Sequence, residues 1–197
     1  QVVHVYAPPQ VMIGTQNVCV GIAGQFLDQT VTATGNPVIQ WAWDFGDGTI
    51  DSVQSPTHLY AGAGIYFVSL TATTPYCSSS AVVPVTVEAK PTAGFIPSDL
   101  LGCSPFAVSF ANTSSGAANY AWTFGDGGTS AAFAPTHTFL NGGTVDTVFT
   151  IVQVVSTAFG CSDTASASVT VAPAALASFT HNGIPGCAPL DVDFTNN

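Results

Sequence analysis

Asp44, Asp47 and Asp51 fall in one short stretch, Trp43-Asp44-Phe45-Gly46-Asp47-Gly48-Thr49-Ile50-Asp51. Carboxylates at this spacing can converge on a calcium ion if the loop curls. The stretch also has a plainer reading. Its glycines can take positive φ and its Asp can accept hydrogen bonds from nearby backbone N–H groups, which together make a tight reversal. The chain contains its own test, because Trp43–Gly48 returns 79 residues later as Trp122-Thr123-Phe124-Gly125-Asp126-Gly127. The second copy keeps only Asp126, with Thr123 and Ser130 at the other two positions. A structural turn at Gly46, Asp47 and Gly48 and at Gly125, Asp126 and Gly127 is the preferred reading. Calcium is the weaker alternative, confined to the first copy, and no other cofactor is expected.

His58 and His137 occupy the same place in Pro56-Thr57-His58-Leu59-Tyr60 and Pro135-Thr136-His137-Thr138-Phe139. Their repetition points to packing or hydrogen bonding. A catalytic His needs an oriented acid and a nucleophile, and no G-x-S-x-G, H-E-x-x-H or P-loop is present. No enzymatic activity and no catalytic residue are expected. Trp41, Trp43 and Trp122 would offer a sugar-stacking platform if exposed, but their alternation with polar residues points them inward.

These residues must be positioned by strands. Ile39, Trp41, Trp43 and Phe45 alternate with more polar neighbours, as do Phe106, Val108 and Phe110, and Tyr120, Trp122 and Phe124. Period two puts each set on one face of a strand. Turn clusters rich in Gly, Pro, Asn, Ser and Thr separate the runs, as an all-β sandwich requires. An internal repeat of this length means an array of small domains. Val85-Thr86-Val87 and Val169-Thr170-Val171 close two repeats, set at 8–89 and 90–173. Residues 1–7, with His4 in Val3-His4-Val5, read as the last strand of a preceding repeat. Residues 174–197 read as the first strands of a following, truncated one, with Leu190, Val192 and Phe194 on its second strand. Beginning at Gln1 without Met, the chain reads as processed or as part of something longer.

The 197 residues carry one basic side chain, Lys90, against eleven acidic ones, for a net charge of −10. Nucleic-acid binding needs clustered Lys or Arg, so it is excluded, and docking on anionic lipid is disfavoured for the same reason. Hydrophobic residues make up 47% and charged residues 6%, the opposite of a disordered acidic linker. The apolar runs are too short to cross a bilayer as helices, so no membrane insertion is expected.

Trp43–Gly48 with Pro56–Tyr60 and Gly64-Ile65-Tyr66-Phe67-Val68-Ser69-Leu70 resembles the PKD domain family, an immunoglobulin-like β-sandwich. The second repeat departs from the pattern where Gly-x-Tyr should stand, with Asn141-Gly142-Gly143-Thr144-Val145-Asp146 suggesting a longer loop. The resemblance implies end-to-end sandwiches with Trp43 and Trp122 in their cores. As a whole the chain resembles repeat segments of large Bacteroidota surface and gliding adhesins exported by the type IX pathway. That implies an extracellular or cell-surface location and three candidate O-glycosylation sites. They are Ser52, Thr147 and Thr164, in Asp51-Ser52-Val53, Asp146-Thr147-Val148 and Asp163-Thr164-Ala165.

Cys19 and Cys77 stand 58 residues apart, as do Cys103 and Cys161. The equality predicts one disulfide inside each repeat, with Cys187 left for a partner downstream, and disulfides imply an extracytoplasmic compartment. Three functions follow. The first is a semi-rigid structural or adhesive stalk with no chemistry of its own, whose partners are neighbouring repeats or subunits. The second is a polysaccharide-binding accessory module of a secreted hydrolase, gripping environmental glycans through Tyr76, Phe133 and Phe159. The third is a subunit of a self-assembling extracellular filament.

Overall fold

The computed structural model describes residues 5–16, 18–175, 178–181, 185–186 and 191–196. Among these, every regular element is a β-strand. Packing divides the chain into two compact units. One comprises residues 1–93 with 114–119 and 154–164, and the other 94–113 with 120–153 and 165–197.

In the first repeat a five-stranded sheet runs in the order Val18–Cys19, Ser78–Glu88, Gly64–Thr73, Gln40–Asp44, Ile50–Asp51. Facing it are two short pairs, Ile13–Gly14 with Leu27–Asp28 and Gly24–Gln25 with Thr57–His58. The long hairpin pairs Gly64 with Val87 through to Thr73 with Ser78. Its alternation turns Val68, Leu70, Ala72, Val85 and Val87 inward. Val68, Leu70, Val85 and Val87 close on Val18, Phe26, Trp43, Phe45 and Tyr60 as one core. Full burial of each large apolar side chain contributes about 1.5–3 kcal/mol.

The second repeat follows the same order, with Leu101–Cys103, Ser162–Ala172, Thr147–Ser156, Asn119–Thr123 and Thr129–Ser130 in one sheet. The opposing sheet is Phe95–Pro97, Phe106–Asn112 and Thr136–Phe139. Its core is Val108, Phe110, Trp122, Phe124, Phe139, Ile151, Val169 and Val171. Further on, Phe179–His181 pairs antiparallel with Phe194–Asn196. The expected strand at 1–7 lies outside the described residues up to position 4, and Val5 to Pro9 are irregular. Leu190 and Cys187 also lie outside the described residues.

Two expectations change. Ile39 precedes the strand and is exposed, and Trp41 is half-buried at the core's rim, where its indole N–H donates to Asp28 Oδ2 at 2.6 Å. The cysteine pairing changes more. Cys19 is bonded to Cys161, with Cα atoms 5.7 Å apart, while Cys77 and Cys103 are free thiols. The predicted pairs Cys19–Cys77 and Cys103–Cys161 do not form, and the reason is strand geometry. Val18–Cys19 runs parallel to the end of the last long strand, so Cys19 lies beside Glu88. Cys77 immediately precedes Ser78, where that eleven-residue strand begins. At about 3.3 Å per residue the strand holds them roughly 35 Å apart, far beyond the ~7 Å Cα reach of a disulfide. Cys103, beside Ala172, and Cys161, just before Ser162, flank the second long strand in the same way.

Candidate functional site

The repeated turn is the most built feature of both repeats. In the first, Gly46 and Gly48 have φ of 77° and 90°. Phe45 N–H donates to Thr49 O at 3.1 Å, closing the reversal. Asp47 Oδ1 accepts from Thr49 N–H at 3.0 Å and from its hydroxyl at 2.6 Å. Its Oδ2 meets His58 Nε2 at 2.8 Å. The imidazole lies flat on Phe45, ring centroids 4.0 Å apart, with the Tyr60 ring edge-on at 4.5 Å. Tyr60 in turn donates its hydroxyl to Phe45 O at 3.1 Å. Trp43 braces the strand from inside the core, its indole N–H donating to Val53 O at 3.0 Å.

The second repeat rebuilds this lock. Gly125 and Gly127 have φ of 82° and 94°. Asp126 Oδ1 accepts from Gly128 N–H at 2.9 Å, and Oδ2 meets His137 Nε2 at 2.6 Å. His137 stacks on Phe124 at 4.1 Å, and Trp122 donates to Ala132 O at 2.9 Å. Burial alone would raise the two carboxyls. Hydrogen bonds outweigh it, from Thr49 and His58 at Asp47 and from His137 and Gly128 at Asp126, and hold both below the ordinary value. Burial, helped by the Asp47 charge, pushes the Tyr60 hydroxyl up. Each histidine fastens a strand to a turn, and His58 Nε2 also lies 3.4 Å from the Thr49 hydroxyl.

The three carboxylates of the calcium alternative are taken up locally. Asp44 accepts from Gly46 N–H at 2.9 Å, and Asp51 from the N–H groups of Ser52 and Val53 at 2.6 and 2.8 Å. Each carboxylate caps its own bend, so Asp44, Asp47 and Asp51 do not converge. Among the described residues no group of three or more acidic, His or Cys side chains can hold a metal.

A shallow groove of about 610 Å³ lies on the outer face of the first repeat's large sheet, lined among others by Gln40, Asp44, Ile50, Asp51, Ser69 and Thr71. The Trp43 side chain is buried in the core, and the groove sets the Asp44 and Asp51 carboxylates and the Ser69 and Thr71 hydroxyls beside the exposed Ile50 side chain. Tyr76 and Phe133 are exposed but packed, Tyr76 flat on Tyr6 at 4.1 Å and Phe133 edge-on to Tyr120 at 5.2 Å. Phe159 is exposed as well. Ser52 and Thr164 are exposed, and Thr147 is half-buried. The Ala93 backbone N–H, 2.8 Å from Asp163 Oδ2, holds that carboxyl below its ordinary value, with Thr164 N–H and the Lys90 charge adding to it.

One residue escaped sequence reasoning. In the first repeat Tyr66 donates its hydroxyl to Gly62 O at 3.0 Å, the corner device of immunoglobulin-like sandwiches. The second repeat has no tyrosine there; Phe149 packs on Phe139 at 5.1 Å, as Tyr66 packs on Tyr60 at 4.3 Å. Asn141 takes over the polar work. Buried, it donates to Val145 O at 2.8 Å and to Val171 O at 2.7 Å, and accepts from Gly143 N–H at 2.9 Å. The missing Gly-x-Tyr was the available signal, since a lost corner bond needs a substitute.

The PKD domain family model matches residues 6–89 and again 88–171. A microbial collagenase of Vibrio alginolyticus is 34% identical over 67 residues, which cover 34% of this chain and 8% of that protein. Among solved structures, the PKD1 domain of Vibrio anguillarum Epp matches at 24% identity and a TM-score of 0.40, covering 43% of this chain and 99% of that one. The PKD1 domain of the Vibrio cholerae metalloprotease PrtV matches at 29% and 0.35, covering 42% and 98%. No helix among the described residues is long and apolar enough to cross a membrane. Duplicated turn, duplicated aromatic core and a family match running through both repeats lead to one conclusion: the chain belongs to the PKD domain family, as two domains in tandem.

Proposed function

We propose that the chain is a structural spacer of an extracellular bacterial surface protein or fibre, projecting or joining other parts and performing no chemistry itself. The observation that carries this reading is the double occurrence of the Asp–His lock, Asp47 with His58 and Asp126 with His137. A residue pair serving one ligand or one reaction has no reason to recur at the same place in both repeats, whereas a pair needed to close the fold does. The reading extends to a Bacteroidota adhesin or filament exported by the type IX pathway, with neighbouring repeats as partners and O-glycans on Ser52, Thr147 and Thr164. Intact mass before and after chemical deglycosylation tests the sugars, and an unchanged mass removes them.

A second reading is favoured by the collagenase match, which covers a small fraction of a much longer protein. Here the chain is an accessory module holding a secreted hydrolase on an insoluble polymer, collagen or a polysaccharide. Sedimentation of the purified chain with insoluble collagen, chitin and cellulose separates the two. A spacer stays in the supernatant with all three, and saturable retention on any of them overturns the spacer reading.

A further inference from the structure

Each repeat holds one cysteine at either end of its last long strand. Cys19 and Cys103 sit on short strands running parallel to the ends of those long strands, beside Glu88 and Ala172, where the chain leaves each repeat. Cys77 and Cys161 stand just before Ser78 and Ser162, where the long strands begin. A strand of eleven residues, about 35 Å long, forbids pairing within a repeat. The bond that does form, Cys19–Cys161, joins the leaving-end cysteine of the first repeat to the opening-end cysteine of the second, 142 residues on. Both lie in the same compact unit.

Among the described residues, the repeat counterparts of these two bonded cysteines are the free thiols Cys103 and Cys77. Cys103, counterpart of Cys19, is exposed, and Cys77, counterpart of Cys161, is half-buried. The neighbours of Cys77 mark it as lying where the chain comes in. Its thiol reaches Tyr6 O at 3.6 Å, and the adjacent Tyr76 ring lies on Tyr6.

The geometry points to Cys103 and Cys77 as the open halves of the same staple. Cys103 bonds the opening-end cysteine of the repeat that follows, and Cys77 the leaving-end cysteine of the repeat that precedes. The adjoining repeat comes from continuing polypeptide or from a second copy of this chain; the chemistry is the same. The Cys103 thiolate attacks the disulfide of an oxidised dithiol carrier, and the incoming cysteine's thiolate then displaces the carrier. Two thiols lose two protons and two electrons, one S–S bond forms, and the carrier, having taken up both electrons, leaves as a dithiol. The staple serves the spacer reading, since it ties repeat to repeat along the line of the array. Retention on a polymer would sink that reading without altering the disulfide map, so the two ideas fail separately.

The test is a disulfide map of the protein taken from its source directly into N-ethylmaleimide and digested without reduction. Cys19 linked to Cys161, with Cys77 and Cys103 both unlabelled and each linked to a cysteine of another repeat, is expected. Linkage of Cys103 to Cys77 identifies a second copy as the source, and linkage to a peptide absent from this sequence identifies continuing chain. The purified 197-residue chain in glutathione redox buffer checks the second-copy source independently: a covalent ladder lost in Cys103→Ser, with Cys19–Cys161 still intact. Maleimide on both Cys77 and Cys103 in the source protein, Cys103 bonded to another Cys103, or bonds within each repeat would overturn the proposal.

Discussion

At Gly46 an added Cβ would lie 2.8 Å from the Phe67 carbonyl oxygen, and at Gly48 it would meet nothing within 4 Å. Both residues have positive φ, so either alanine carries a left-handed penalty of about 1–2 kcal/mol. Gly46→Ala adds a forced shift of the facing strand, about 1–3 kcal/mol more. Denaturant midpoints should therefore fall further for Gly46→Ala than for Gly48→Ala, and equal losses would contradict the close approach. The lock also has a pH signature. Asp47 and Asp126 are held below the ordinary carboxyl pKa, so the folded protein binds their protons more weakly than the unfolded chain does. Their stabilisation is complete above about pH 4 and is lost as pH falls through the lower folded-state values. Urea midpoints between pH 5 and pH 2 should drop more steeply for the natural chain than for the double variant Asp47→Asn, Asp126→Asn. Parallel slopes would remove the lock from the acid response. The repeated W-x-F-G-D-G string made the turn legible, because a reversal built from glycine φ and an Asp cap is local. The His partner, eleven residues on, was legible only as a repeated position.

Strands were legible where one face is buried and the other wet. Trp43, Phe45, Val108, Phe110, Trp122 and Phe124 alternate in sequence and are all in the two cores. The edges were not legible. Val18–Cys19 and Leu101–Cys103 are two and three residues long, too short for any period to declare itself, and their parallel pairing depends on partners far along the chain. Asn141 is the corresponding case among loops, a buried amide whose role exists only because Phe149 brings no hydroxyl. Asn141→Ala leaves Val145 O, Val171 O and Gly143 N–H without this partner, and abandoning the buried Val171 O alone costs about 1–3 kcal/mol. Hydrogen exchange should quicken around 141–149 in that variant. Unchanged protection there would mean that the loop is held by other contacts.

For the whole molecule the decisive link is Cys19–Cys161. A cross-link over 142 residues stabilises by about 5 kcal/mol in the chain-entropy model, and losing a native disulfide typically costs about 2–5 kcal/mol. Cys19→Ser, or reduction, should lower the unfolding midpoint by that order, whereas Cys77→Ser, which leaves the bond intact, should change it little. Similar losses in both variants would point back to pairing within a repeat.

The amino-acid sequence alone determined the β class, the two repeats, the turn and the cores, because each is written in short-range pattern: period two, glycine at positive φ, aromatic side chains on one face. The cysteines show where that kind of reading ends. Equal spacing of 58 residues suggested equal bonds, yet a disulfide answers to distance in space. Only the assembled sheet, with its first strand laid parallel along the end of its last, decided that the two cysteines of a repeat stand at opposite ends and cannot pair with each other.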